Sequence, residues 1–168
     1  MEYSIPSNRK QLLTGLLAIY AVFSMTTHAT LAEDSSMHFE STYSFADTID
    51  NIESALKDKS MTVFAVIDHR AAAQSVGLDM PPTTVLIYGN PKAGTPLMVA
   101  APDFALELPL RVLIREDSQG KVHVTLNSAA SLEGKHNLPA GMAETLMPAE
   151  KLIEAAVKGG TGQYKGSK

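Results

Sequence analysis

Residues Met61–Gly89 read MTVFAVIDHRAAAQSVGLDMPPTTVLIYG. The run Met61–Ile67 is β-branched and apolar at successive positions, the pattern of a strand buried on both faces, and predicts a central strand. Asp68 then suits a helix N-cap and Gly77 a C′ residue, so a short helix is expected over DHRAAAQSVG. Two prolines stiffen the turn LDMPP, and TTVLIYG predicts a second buried strand.

Working outward, HFESTYS alternates, with Phe39, Ser41 and Tyr43 on one face, and predicts an upstream strand. Before it, EDSSMH is polar and expected to be loose. Ser44 precedes Phe45, Ile49, Ile52 and Leu56, the spacing of an amphipathic helix, and Ser44 with Asp47 resembles a capping box. Downstream, NPKAGTP reads as a loop because Asn-Pro and two further breakers crowd it. PLMVAAPDFALEL is helical in composition, with Pro102 bound to break it. LRVLIRE, DSQG and KVHVTL form a strand, a turn and a strand. A last helix is expected over MAETLMPAEKLIEAAVK, stopped by Gly159-Gly160. Helices set against a mainly antiparallel sheet make an α+β domain.

The chain has 168 residues, no Cys and a formal net charge of -4, the size of one domain. Its first 32 residues follow the plan of a secretory signal: Arg9 and Lys10, then the largely apolar QLLTGLLAIYAVFS, then Thr30-Leu31-Ala32. Cleavage is expected after Ala32, with Ala29 as a second position and retention as an anchor disfavoured by the short apolar run. The expected organisation is a signal peptide at 1–32, a folded domain at 33–158 and a flexible tail at 159–168, in a periplasmic or secreted protein. Without Cys, no disulfide framework can hold it and the apolar core must. An acidic chain is unsuited to nucleic acid or to anionic lipid, and no stable membrane insertion is expected after cleavage.

Candidate functional residues are few. His69, at the start of the short helix, could face a ligand, whereas Asp68 is better explained as that helix's cap than as a catalytic partner. The same reading puts His69 at a rim where the segment after Tyr88 also arrives. Asn90 and Lys92, with Gly89 and Gly94, stand in a turn-rich stretch that could cradle an anion but matches no phosphate-loop pattern. Arg111 shares a strand face with Arg115, and His123 with Thr125. The candidate ligand-binding set is therefore His69, Tyr88, Asn90, Lys92 and Arg111. No catalytic group, metal site or cofactor is expected: the histidines lack ligand spacing, and neither a nucleophile elbow nor a reactive Cys is present.

The motifs IDH, then A…VGL, then PTTVLIYGNPKAGTPLM, then LPLRVLI.ED..GKV resemble the domain of unknown function 302 family over about residues 40–157. The resemblance implies a two-layer α/β sandwich similar to the TATA-binding-protein-like fold, and no established reaction or cofactor. This chain departs from the family at Leu126-Asn127-Ser128, where an aromatic and then Asn-Asp are usual, so a role of that aromatic does not transfer. A non-enzymatic module for an unknown small molecule or protein is expected. The alternatives are an enzyme with a pocket around His69, and a self-associating module that forms a homodimer.

Overall fold

The computed structural model describes residues Ser36–Gly159, all within one compact unit, Asp34–Lys168. The expected signal peptide and most of the expected tail lie outside the described residues. Among the described residues are five strands: β1 (Ser36–Glu40), β2 (Thr62–Asp68), β3 (Thr83–Gly89), β4 (Leu110–Glu116) and β5 (Val122–Asn127). They form one antiparallel sheet in the order β1-β5-β4-β3-β2. The helices are α1 (Phe45–Asp58), α2 (His69–Ser75), α3 (Pro91–Ala100) and α4 (Met147–Val157). The α+β architecture is the one expected.

Side-chain alternation fixes the face of each strand. Leu86, Tyr88, Val112, Ile114, Val122, Val124 and Leu126 point to one side, where Ile52 and Leu56 of α1 and Ala149, Ile153 and Val157 of α4 close the core over them. The alternate positions, including Val85, Ile87, Leu113 and Arg111, form the other face and are half-buried or exposed. Ser44 caps α1 through the amide of Asp47, as the capping box requires, and its hydroxyl donates to the Asp47 carboxylate at 2.6 Å. The β4–β5 hairpin turns on Asp117, whose carboxylate accepts from the amides of Gln119 and Lys121, with Gly120 at φ 75°.

Five expectations are corrected. β2 is an edge strand, not a central one, and leaves Phe64, Val66 and Ile67 exposed. Its composition signals apolar faces and does not say that both are covered. The Asn90–Pro96 stretch is not a loop but the start of α3: Asn90 accepts from the amide of Lys92 and Pro91 takes the first helical position, where its missing N–H costs nothing. Ser36–His38 are not loose, because they pair with β5 from Asn127 to Thr125; β1 in turn ends at Glu40 rather than running on to Tyr43. The last helix begins only at Met147, with a 3-10 helix at Met142–Leu146 before it.

One stretch, residues 128–141, carried no expectation. Residues 128–146 fold as three 3-10 helices and bury Leu132, Leu138, Ala143 and Leu146 against Leu97, Ala101 and Phe104. This second cluster backs α3 and holds it at the end of the sheet where β3 finishes and β4 begins.

Candidate functional site

The bulge in β2 between Val63 and Ala65 turns Phe64 out of the ladder. Its ring lies over Gly89, where a Cβ would stand 3.4 Å from Phe64 Cε2. The next residue, Asn90, starts α3, and Gly94 one turn later lets the helix approach Leu108, whose Cδ1 would be 3.2 Å from an added Cβ. Between these parts opens a cleft of 380 Å³. Phe64, Leu108, Pro109 and Leu110 form one wall; Pro91, Gly94, Thr95 and Met98 of α3 form the other, with Leu146 from the second cluster. Apart from backbone, Asn90 and Thr95 supply the polarity. With Asn90 Oδ1 committed to the cap, its amide nitrogen is what that side chain can offer a ligand.

The cleft holds one of the five candidate residues, Asn90. Tyr88 precedes it by two positions but turns into the core, 1 % exposed, and burial, followed by the nearby Glu150 carboxylate, raises its phenol further above the ordinary range. It stays a neutral phenol at any physiological pH. Lys92 is exposed in the first turn of α3. Arg111 sits opposite Ile87 on the far face of the sheet, where alternation turns it away from the core that takes up Tyr88. His69 is corrected in place: Asp68 pairs with Thr84 and Val63 with Tyr88, so His69 lies at the other end of the ladder, about 13 Å or more from Tyr88 at ~3.3 Å per residue. The five side chains therefore do not converge. Asp68 caps α2 through the amide of Ala71 at 2.9 Å, as its position foretold.

Polar clusters elsewhere are internally satisfied. His123 Nε2 lies 2.7 Å from Asp117 Oδ2; that bond, and then the amides of Lys121 and Gln119, lower the Asp117 pKa to about 2. Glu107 bonds both His136 and Lys135, and the bond from His136 is the main cause of its lowered pKa. A second cavity, 440 Å³, is edged by Glu133, Glu144 and Glu150, of which Glu133 accepts from Gly141 N and Glu150 from Ala129 N. Among the described residues no three His, Cys, Asp or Glu side chains could hold a metal ion together, and no helix is long and apolar enough to cross a membrane.

The sequence signals for the cleft were present but scattered: Gly89, Gly94 and the Asn-Pro pair were legible as special backbone, while Leu108–Leu110 and Leu146 gave no sign of facing them.

An open antiparallel sheet with helices against one face, and an apolar cleft where the first helix after β3 leaves it, define an α+β domain. The chain belongs to the family described as "Domain of unknown function DUF302", whose model matches residues 37–157. Its fold is similar to the crystal structure of an uncharacterised conserved DUF302 protein from Bacillus stearothermophilus, with a TM-score of 0.64 at 20 % identity over 74 % of this chain and 96 % of that one. The chain is also 40 % identical, over 110 residues, to the fluoride-specific ion channel FluC 1 of Brucella suis and to FluC 2 of Brucella melitensis. The match covers 66 % of this chain but 43 % and 41 % of those relatives, so the chain spans less than half their length.

Proposed function

We propose that this chain is an exported, non-enzymatic binding module that holds a small, mainly apolar molecule in the cleft between Phe64, α3 and Leu108–Leu110. The observation that carries the reading is the cleft itself: its 380 Å³ lies within the range of about 300–1,000 Å³ usual for ligand sites, and its lining is apolar with a single side-chain amide and one hydroxyl to orient a guest. No acidic or basic side chain lines it to activate the Thr95 hydroxyl, which favours binding over chemistry. Export is supported by the Arg9-Lys10 pair, the apolar run after it and Thr30-Leu31-Ala32.

The test uses the uncharged fluorophore N-phenyl-1-naphthylamine. The protein is expected to bind it with saturable fluorescence enhancement, and Thr95→Trp, which fills the cleft from an exposed position, is expected to weaken binding at least tenfold with the fold intact. Equal binding by the variant, or none by the parent protein, overturns the reading.

A second reading rests on the Brucella relatives: the chain serves a fluoride channel. Deleting it from its own host then sensitises growth to sodium fluoride; unchanged sensitivity removes this reading.

A further inference from the structure

We propose that the outer edge of β2 pairs with the β2 edge of a second copy of this chain, making a two-fold dimer with a sheet continuous across it. β2 has β3 on one side and, among the described residues, no strand on the other. Natural edges are commonly guarded by Lys, Pro or inward-facing charge, and between Thr62 and Ile67 β2 carries none of these. The bulge at Phe64 blunts the first half of the edge, leaving Ala65, Val66 and Ile67 to pair.

The exposed surface concentrates here. Of nine large apolar side chains exposed among the described residues, five lie between Phe64 and Leu78: Phe64, Val66, Ile67, Val76 and Leu78, at 54, 52, 39, 71 and 65 %. α2, inside this stretch, buries none of its residues. Together the five leave roughly 500 Å² of apolar surface open, near the upper end for a monomer. Covering it on two copies removes about 1,000 Å², before backbone and the alanines of α2 are added, which reaches the scale of a specific interface.

A second copy fits the charge pattern. With the two-fold axis at Val66, Ile67 opposes the second copy's Ala65. Asp68, the one charged residue of β2, opposes the second copy's Phe64, so the two carboxylates stand about 13 Å apart, at ~3.3 Å per residue, instead of meeting. One surface serves both partners, as an isologous contact requires.

The chain has no Cys, so single thiols report the contact directly. Ala65→Cys, Val66→Cys and Ile67→Cys are each oxidised with copper phenanthroline, with Gln119→Cys in the β4–β5 turn as control. Crosslinked dimer is expected at the β2 positions, strongest at Val66, and little at Gln119. By light scattering the parent protein is expected to be dimeric at micromolar concentration, and Val66→Lys monomeric. Should Val66→Lys fail to fold, Val76→Glu with Leu78→Glu, both on surface that supports no core, gives the same readout. A monomeric parent protein, or crosslinking at β2 no stronger than at Gln119, overturns the proposal. The cleft variant Thr95→Trp should stay dimeric, so failure of the dimer and failure of the cleft reading are separable.

Discussion

Asn90→Ala removes a group with two jobs. In the fold, Asn90 Oδ1 accepts the Lys92 amide at 2.9 Å, while the amides of Ala93 and Gly94 are held by the Asn90 backbone carbonyl and survive the change. One helix donor is therefore orphaned, which costs about 1 kcal/mol. For a domain of this size that is a fall in melting temperature of roughly 4 °C. Asn90→Asp keeps the cap and adds a negative charge at the N-terminus of α3, where the helix dipole favours it, so its stability should match or exceed that of the parent protein. In the cleft the order reverses. Alanine leaves an apolar lining and should cost little affinity for N-phenyl-1-naphthylamine, whereas a carboxylate must be desolvated beside the ligand and should weaken binding at least tenfold. Thermal melts and fluorescence titrations on both variants read the two effects separately. If Asp lowers the melting temperature as much as Ala, Asn90 is not acting as a cap; if Asp binds the probe as well as the parent protein does, Asn90 does not line the ligand site.

Asp68→Ala removes an equivalent cap bond, but α2 buries no residue, so the loss should appear as faster amide exchange over Ala71–Ser75 and a smaller fall in melting temperature than Asn90→Ala produces; an equal fall would show that α2 is coupled to the core. Leu132→Ala should cost about 2–5 kcal/mol, because Leu132 is 1 % exposed in the second cluster, and urea unfolding should remain one transition by circular dichroism and tyrosine fluorescence; a loss under 1 kcal/mol would mean that residues 128–146 are not part of the cooperative unit. Asp117 is held below its ordinary pKa in the folded state, so its contribution is complete above the unfolded value and disappears as pH falls through about 2. Asp117→Asn should therefore lie below the parent protein in melting temperature at neutral pH and converge with it between pH 4 and pH 2; a gap that is constant with pH contradicts this.

What was legible in the sequence was local. Ser44, Asp68, Gly77 and the Asp117 turn each satisfy backbone groups within a few residues, and each takes its expected place. Periodicity likewise found β3, β4, β5 and α1. What could not be read depends on neighbours distant in the chain. An apolar run such as Met61–Ile67 looks the same whether a strand lies on both sides or on one, and sheet order alone makes β2 an edge. Asn90-Pro91 illustrates a competition between two local meanings: the pair marks a turn, and it also marks an N-cap with Pro at the first helical position; packing of Leu97 and Ala101 on the second cluster favours the helix. The candidate site suffered most. His69 and Tyr88 looked like neighbours because each ends or begins near a turn, but an antiparallel register puts the end of β2 beside the start of β3, and so separates them by the length of the ladder.

The most direct measurement of the cleft reading is native mass spectrometry of the protein isolated from its own host, alongside Thr95→Trp prepared identically. The account predicts a mass increment of a few hundred daltons on the parent protein, within the scale a cleft of this size accepts, lost under mild collisional activation and absent from the variant. Parent protein at its bare polypeptide mass, or an increment carried equally by Thr95→Trp, would contradict it.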